Sequence, residues 1–339
     1  MGLKVAMVTP YGVRCGVASY SRSLANALAQ LGCEVYIVRW PRFGVRTWEL
    51  IQGCVIDKIP MSVDLIHVQM EYGYFTPNLE LGFYSSLRQL GKPVVTTMHV
   101  AGDPSRDSII AQASSKVIVH NKWCAKLFGH KGKTVIIPHG CDPRECPPRE
   151  ECKKALGIDP KIPIVGYLGF ISPAKGLEIL IAAMTKVEAG LLIGGGWFIG
   201  EETDYINRLK EWSLKLLPGK CMWLGYVPDE NMPIAYGAMD LVVYPSRWMS
   251  ESGALLTALS HGKAVIARRL PPTREKERLG ALATFSSTED LVREVRELLK
   301  DESLRRRLEE GARKYAERNS WTEVADKHLS LYKRVLSRS

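Results

Sequence analysis

Short unbroken apolar runs alternate along this chain with longer segments in which apolar residues recur every three or four positions. Strands that are buried on both faces give continuous runs of Val and Ile, and amphipathic crossover helices give the longer period. The alternation is regular and extends through most of the chain. It predicts parallel sheets with helices packed on their faces, which is the α/β class of fold.

The strand and helix patterns fall into two sets. The predicted strands are residues 5–9, 35–40, 65–68, 94–98 and 117–120 in the first set, and residues 164–168, 190–193, 222–224 and 241–244 in the second. The predicted helices include residues 17–31, 177–187, 203–216 and three segments after residue 288, the last of them from 321 to about 336. Each set has the pattern of a doubly wound, Rossmann-like sheet.

A proline-rich stretch separates the two sets. It runs from Pro138 to Pro163 and contains six prolines, which break the rhythm of strands and helices. A chain of 339 residues also exceeds what one hydrophobic core usually organises. We therefore predict two Rossmann-like domains that face a cleft, residues 1–158 and 159–320, with a C-terminal helical segment, residues 321–339, that crosses back to the first domain.

The composition is that of an ordinary globular protein, with 46% hydrophobic and 24% charged residues. No stretch approaches the roughly 20 apolar residues that are needed to cross a bilayer. The first residues lead directly into a predicted strand, with no apolar run of the kind that a signal peptide carries. A cytoplasmic location is therefore expected.

The net charge is +10, and residues 303–339 carry ten Lys and Arg against five Asp and Glu, a surplus of five. Such a basic segment can be a solvated face, an attachment to an anionic membrane surface or a nucleic-acid site. No nucleic-acid motif accompanies it. Nucleic acid is not expected as a partner, whereas solvation and peripheral contact with the inner membrane face stay open.

Eight cysteines occur, and none has the Cys-x-x-Cys spacing of zinc or redox sites. Cys141, Cys146 and Cys152 cluster in the proline-rich stretch, where they could hold a metal ion or form a disulfide. Reduced thiols are the expected state in a cytoplasmic protein.

Two glycine turns lie between a predicted strand and a helix, at residues 11–16 and at residues 169–176. Backbone N–H groups at a helix start are unpaired and carry the positive end of the helix dipole, so they stabilise an anion there. Lys175 adds a full charge at the second turn. A cation at the positive end of a helix dipole is mildly unfavourable unless an anion lies nearby. Phosphate binding is therefore favoured over the alternative of an ordinary surface lysine.

Other candidate residues follow predicted strands, because ligands bind beyond the carboxyl ends of parallel strands. His99 follows one strand of the first set, His67 and Glu71 flank the end of another, and the glycines at 194–196 follow a strand of the second set. Arg247 is equally consistent with diphosphate binding and with a surface ion pair. Residues 41–60, which include Phe43 and Arg46, could cover an acceptor groove, although apolar packing explains their aromatic residues equally well.

These motifs together resemble the retaining glycosyltransferases of the GT-B fold, in family four. The resemblance lies in residues 10–18 (PYGVRCGVA), 67–73 (HVQMEYG), 96–99 (TTMH), 136–140 (IIPHG), 169–176 (GFISPAKG), 194–195, 225–228 (GYVP), 245–247 (PSR) and 252–267. It implies transfer of a sugar from a UDP-, GDP- or ADP-sugar to a glycan or lipid-linked acceptor with the anomeric configuration retained.

The resemblance also implies roles for particular residues. Lys175 would hold the distal phosphate and His99 would hydrogen-bond the sugar, and these two are the candidate catalytic residues. Gly16 would approach the donor. Tyr226 and Val227 would frame the base. The other donor-side positions are Gly169, Gly195, Arg247, Glu251, Ser252, Gly253 and Thr257, and the acceptor or sugar side has His67, Glu71 and His139. The resemblance implies no metal ion and no cofactor, because lysine, arginine and helix dipole neutralise the diphosphate, and no Asp-x-Asp occurs.

The chain departs from the family pattern at three positions. Phe170 stands where most members have an arginine, and Met249 and Thr257 stand where a pair of glutamates is common. Arg247 could replace the missing charge, and ribose recognition could fall to Thr257 or to Glu251. These departures keep open a non-catalytic sugar-nucleotide-binding subunit. A sugar phosphorylase or epimerase on the same scaffold is a further alternative.

Overall fold

The computed structural model describes residues 2–41, 47–75, 79–196 and 203–337. The chain divides into two compact units, one made of Met1–Gly140 with Asn319–Ser339 and the other of Cys141–Arg318. Phe43 and Arg46 lie outside the described residues. Each unit is described below by itself.

Over the described residues, each unit contains one parallel sheet of six strands. The strands of the first unit are β1 (Lys4–Thr9), β2 (Glu34–Arg39), β3 (Leu65–Met70), β4 (Val94–Met98), β5 (Lys116–Val119) and β6 (Thr134–Ile136). Those of the second unit are β7 (Ile164–Leu168), β8 (Gly190–Gly194), β9 (Cys221–Gly225), β10 (Leu241–Tyr244), β11 (Val265–Arg268) and β12 (Ala283–Phe285). Their spatial orders are β2-β1-β3-β4-β5-β6 and β12-β11-β10-β7-β8-β9.

Helices connect the strands of both sheets. In the first unit they are α1 (Gly16–Gln30), α2 (Trp48–Cys54), α3 (Leu79–Gln89), α4 (Pro104–Ala113) and α5 (Lys122–Phe128). In the second unit they are α6 (Arg149–Ala155), α7 (Leu177–Met184), α8 (Thr203–Leu216), α9 (Met232–Ala238), α10 (Gly253–Ser260), α11 (Pro271–Arg278), α12 (Thr288–Lys300) and α13 (Glu302–Arg318). The last helix, α14 (Trp321–Leu336), returns to the first unit.

The predicted α/β class is confirmed, and the apolar runs form the strands for the predicted reason. Every residue of β3, β4, β7, β8 and β10 is buried, as is usual for central strands covered by helices on both faces. The strands β6, β11 and β12 are absent from the predicted set, and each is only three or four residues long.

Both sheets change winding direction at one point. In the first, the chain passes from β1 to β2 and then resumes on the other side of β1 with β3. In the second, it runs from β7 through β8 to β9 and then resumes beside β7 with β10. Such a switch point opens a crevice at the carboxyl ends of its two central strands. The loops after β1, β3, β7 and β10 are therefore where a ligand site is expected.

The C-terminal helix α14 packs against α1 within the first unit. Val324 and Tyr332 join Leu24 in one buried apolar cluster. The Trp321 ring lies against Gly140, where a Cβ would come within 2.5 Å of it. These contacts hold α14 in the first unit, although it is the last helix in the sequence.

Residues 141–158, placed in the first domain by sequence, group with the second unit in the structure. Helix α6 packs against α9, and the Cys152 side chain occupies the space that a Cβ on Gly237 would need. Buried Lys153 also donates to Asp240 at 3.0 Å. The division between the units thus falls inside the proline-rich stretch, and packing places the later residues of that stretch in the second unit.

Candidate functional site

The loop after β7 is built by close backbone approach. The Gly169 N–H donates to the carbonyl oxygen of Gly194 at 3.1 Å, and the Gly195 N–H donates to that of Gly225 at 2.6 Å. A Cβ on Gly195 would overlap the carbonyl oxygen of Gly169. Glycine is therefore required here, because only a bare backbone allows the ends of β7, β8 and β9 to be joined this closely.

Lys175 lies in a short 3-10 turn, Pro173–Lys175, and Gly176 with φ of +66° separates it from α7. The sequence predicted this lysine at the start of the helix itself. The Arg247 N–H donates to the Ala174 carbonyl at 2.8 Å, and a Cβ on Gly176 would lie 2.6 Å from the Pro245 carbonyl oxygen. The segment after β10 thus fixes the turn that carries the half-buried Lys175.

A second helix start lies beside the loop after β7. The Ser252 hydroxyl accepts from the Leu255 N–H at 3.3 Å and caps α10, whose first residues are Gly253 and Ala254. A Cβ on Gly169 would lie 3.0 Å from that of Ala254. The first N–H groups of a helix have no partner within it, so the starts of α7 and α10 bring two sets of donors to the β7/β10 switch point.

Three predicted donor-side residues are engaged in contacts within the protein. Arg247 forms an ion pair with Glu178, which also accepts from Tyr205. The Thr257 hydroxyl donates to the Gly253 carbonyl at 2.9 Å. Both carboxylate oxygens of Glu251 accept from Lys276, at 2.8 and 2.9 Å.

The pair of Glu251 and Lys276 is almost completely buried, with side-chain exposures of 6% and 4%. Burial is the largest single influence on Lys276 and would lower its pKa, but the charge and hydrogen bond of Glu251, together with the nearby Tyr315 and Glu275, raise the pKa overall. Met249 is also buried, at 4% exposure. The segment from Met249 to Glu251 is therefore packed into the core of the second unit.

Tyr226 and Val227 follow β9 through Gly225. The Tyr226 side chain is 51% exposed. Val227 packs against the end of β8, where a Cβ on Gly194 would lie 2.9 Å from it. This places both residues at the carboxyl edge of the sheet, on the side that also holds Gly195.

In the first unit, the loop after β1 leads into α1. The helix begins at Gly16 with Cys15 as N-cap, whose side chain makes no capping hydrogen bond. A Cβ on Gly16 would meet no described heavy atom within 4 Å. The missing side chain therefore leaves open space at the helix start instead of relieving a packing clash.

Glu71 directly follows β3, across the switch point from β1. Its carboxylate accepts from the Gly73 N–H at 2.8 Å and begins a short 3-10 turn. Burial raises the pKa of this carboxyl, and hydrogen bonds from Gly73 and Tyr72 and the nearby Arg106 offset part of the rise. A carboxylate of raised pKa at a strand end is suited to accept a proton from a hydroxyl group.

His99 and His139 lie in one aromatic cluster around Tyr20. The Tyr20 ring centroid lies 4.9 Å from each of them and 5.2 Å from that of His120. His99 Nε2 lies 3.0 Å from Gln69 Oε1, and its backbone N–H extends the β4 ladder to Met70. The structure thus brings together two predicted histidines and adds His120 and Tyr20, which had no motif to reveal them.

His67 occupies a different position from the one predicted. It lies inside β3 with no exposed surface, not at the end of the strand. Its ring nitrogens lie 2.8 Å from Thr97 Oγ1 and 2.7 Å from Tyr332 Oη. Alternate residues of a strand face opposite sides, and His67 faces the side that α14 covers.

Burial lowers the pKa of several histidines of the first unit, to about 4 for His328 and well below its usual value for His67. A histidine that is held neutral in the fold stabilises it above the unfolded pKa of about 6.5, and this contribution is lost as pH falls towards the folded pKa. As pH falls from 7 to 5, we expect the lowered pKa of His328 alone to reduce the free energy of unfolding by about 2 kcal/mol.

Urea unfolding of the wild type and of His328→Gln at both pH values measures this loss. The variant should show a smaller pH dependence. Equal dependence in the two proteins would contradict the assignment.

The eight cysteines are all free thiols. Burial raises the pKa of Cys141 to about 12, with the charge of Glu251 adding to it. Burial also raises the pKa of Cys146 and of Cys152.

Within the part of the chain that the structure describes, no three His, Cys, Asp or Glu side chains are grouped to hold a metal ion. Helices of the described ranges are also too short or too polar to span a membrane.

Residues 148–315 match the family model described as glycosyl transferases group 1. A D-inositol 3-phosphate glycosyltransferase of Segniliparus rotundus is 28% identical over 215 residues, which cover 60% of this chain and 47% of that protein. The chain spans about half the length, or less, of the first curated relatives that it matches.

Two solved structures share the fold along nearly the whole chain. The sucrose-phosphate synthase of Thermosynechococcus elongatus matches with a TM-score of 0.81 at 18% identity, and the match covers 99% of this chain and 100% of that protein. Anabaena HepE, solved with UDP and glucose, has a TM-score of 0.79 at 19% identity, with coverage of 98% and 100%.

The two six-stranded sheets in the described residues, with these structural matches, show the GT-B fold. Residues 148–315, just under half of the chain, match the group 1 glycosyltransferase model, which supports the coarser part of the family resemblance.

Proposed function

We propose that this protein is a retaining glycosyltransferase of family four that transfers a sugar from a nucleotide-diphosphate donor. The observation that carries the proposal is the arrangement at the β7/β10 switch point. There a glycine-built loop, the turn with Lys175 and the start of α10 lie together within the matched domain. The relatives that are named as glycosyltransferases support the same reaction class.

The chemistry of sugar transfer suits such a site. When the bond between sugar and diphosphate breaks, negative charge accumulates on the leaving phosphate oxygens. Donors that are already in place stabilise this charge without moving during the reaction. Lys175 would hold the distal phosphate, and the helix starts would supply backbone N–H groups. No step in this scheme calls for a metal ion or cofactor.

For the first unit we assign sugar contact to His99 and acceptor contact to Glu71. Gly16 leaves the space at the start of α1 that a bound donor would need. His139 is retained as a sugar-side candidate because it shares the Tyr20 cluster with His99. His67 would act through its neighbours, since it is fully buried.

UDP-glucose is the first donor to test. Anabaena HepE was solved with UDP and glucose and with UDP-glucose. We propose a UDP-sugar here, with GDP- and ADP-sugars as the alternatives. The test is to incubate the purified protein with a panel of the three classes and measure release of nucleoside diphosphate. Turnover of one class would support the proposal, and no hydrolysis or transfer with any of them would contradict it.

A glycan or lipid-linked acceptor at an anionic membrane surface is proposed from the basic C-terminal segment. Part of this charge is already paired, as in the contacts of Arg306 with Glu302 and of Lys314 with Glu310. We expect binding to phosphatidylglycerol vesicles that weakens as salt rises, because salt screens exposed charges. Flotation that is indifferent to salt, or no binding, would contradict membrane attachment.

A non-catalytic sugar-nucleotide-binding subunit is the second candidate. It is favoured by Phe170, which lacks a charge, and by Arg247, whose guanidinium pairs with Glu178. Tight binding of a nucleotide sugar without turnover, in the presence of mixed glycan acceptors, would favour this candidate over the enzyme.

A further inference from the structure

Three buried tyrosines lie beneath the loop after β7. Tyr167, Tyr236 and Tyr244 are each 1% exposed. The Tyr244 hydroxyl lies 3.0 Å from the carbonyl oxygen of Leu168, at the end of β7, and 2.7 Å from that of Ala254, in the first turn of α10. One side chain of β10 therefore bridges the two segments that flank the switch point.

Tyr167 reaches the same loop from below. Its hydroxyl donates to the Phe170 carbonyl at 2.6 Å. A Cβ on Gly169 would lie 3.3 Å from this hydroxyl and 3.0 Å from the Cβ of Ala254. Gly169 is thus enclosed between Tyr167 and α10, and its position depends on both.

Aromatic packing alone does not explain the hydroxyl groups of these three tyrosines. A buried hydroxyl without a hydrogen bond destabilises the fold, so phenylalanine would fill these positions at lower cost if packing were the only requirement. Tyr244 has one proton for two carbonyl groups. Tyr236 Oη lies 3.3 Å from Tyr244 Oη and 3.4 Å from the Ala254 carbonyl, so it can supply the second proton. Burial raises the pKa of both tyrosines, which keeps them protonated as donors.

We propose that Tyr244, assisted by Tyr236 and Tyr167, is a positioning residue that sets the distance between the glycine loop and the start of α10. The inference rests on the proposed function, in which these two segments bind the donor diphosphate. An anion site gains most when its donors are held in place before the ligand arrives. Loss of the bridge lets the loop and the helix start relax separately, and the phosphate loses part of its contacts.

The test compares Tyr244→Phe with Tyr236→Phe in the full chain. Both changes remove one buried hydroxyl from the same cluster, but only Tyr244 makes short bonds to both segments. Calorimetry is run with inorganic pyrophosphate, with whichever of UDP, GDP and ADP the wild type binds, and with the matching nucleoside. Tyr244→Phe should weaken pyrophosphate and nucleoside diphosphate about tenfold, the scale of one well-formed hydrogen bond. Tyr236→Phe should weaken them less than about threefold, and both variants should bind the nucleoside as the wild type does.

Tyr167→Phe is an independent variant, and it serves if Tyr244→Phe does not fold. It should weaken pyrophosphate binding about fivefold, because it removes the bond to the Phe170 carbonyl. If the wild type binds pyrophosphate or a nucleoside diphosphate and these variants bind it equally well, the inference is wrong while the proposed function stands. An equal loss of nucleoside affinity would also overturn it, since a general loosening and not the phosphate site would then be responsible. Failure of the wild type to bind any of these phosphates overturns both.

Discussion

Replacement of Lys175 by alanine is expected to weaken nucleoside diphosphate binding by about 1.5 to 3 kcal/mol, which is roughly tenfold to more than a hundredfold in Kd. This is the range for a hydrogen bond to a charged group. Lys175 lies in the turn before α7, which the segment after β10 holds in place. The substitution should therefore remove a charge without moving the backbone that presents it. Calorimetric titration of both proteins measures the difference.

Lys186→Ala is the matched control for this change. Lys186 is exposed and lies just beyond the opposite end of α7. It should leave the affinity within about twofold of the wild type, because an exposed charge beyond the Debye length is largely screened. Equal affinities of wild type and Lys175→Ala would show that this lysine does not hold the phosphate. Equal losses in both variants would point to general electrostatic attraction instead.

Replacement of Lys276 by methionine is expected to destabilise the second unit by about 3 to 5 kcal/mol. The substitution leaves the Glu251 carboxylate buried at 6% exposure without the cation that both of its oxygens contact. An uncompensated buried charge is costly, whereas a matched pair roughly balances its own desolvation. Thermal or urea unfolding, followed by a probe in the second unit, measures the loss.

The double variant Lys276→Met with Glu251→Gln separates this explanation from a packing defect. It removes both charges, so it should recover most of the lost stability. Lys220→Met is a surface control, because Lys220 pairs with the exposed Glu188, and its effect should stay below about 1 kcal/mol. A double variant as unstable as Lys276→Met alone would contradict the buried-charge account.

The backbone of the site could be predicted from sequence because glycine and apolar runs report directly on backbone geometry. The run before Gly169 forms a central strand, and Gly176 allows the turn that carries Lys175. These features depend on residues that are close in the sequence, and local patterns are strongest there.

The side-chain partners could not be predicted in the same way. Glu251 and Lys276 are 25 positions apart and come together only because α11 packs beside the segment after β10. Arg247 and Glu178 are 69 positions apart. The sequence alone leaves Arg247 equally consistent with a phosphate ligand and an ion pair, because a single charged residue in a sequence does not reveal its partner.

Residues that position the site were missed for a related reason. Tyr244 ends a fully apolar strand, and its hydroxyl has no local partner in the sequence to mark it. His67 is predicted beside the ligand crevice because it lies near the carboxyl end of a predicted strand, yet the strand continues to Met70 and His67 lies inside it. A buried polar side chain in an apolar run is the signal that could have identified both as members of hydrogen-bond networks.

The most direct test of the central claim is a crystal structure of the full chain with the nucleoside diphosphate that it binds. We expect the phosphates to lie at the β7/β10 switch point, with the distal phosphate within hydrogen-bond distance of Lys175 Nζ. A diphosphate bound elsewhere on the second unit, with Lys175 out of its reach, would show that this lysine and the switch point do not form the phosphate site.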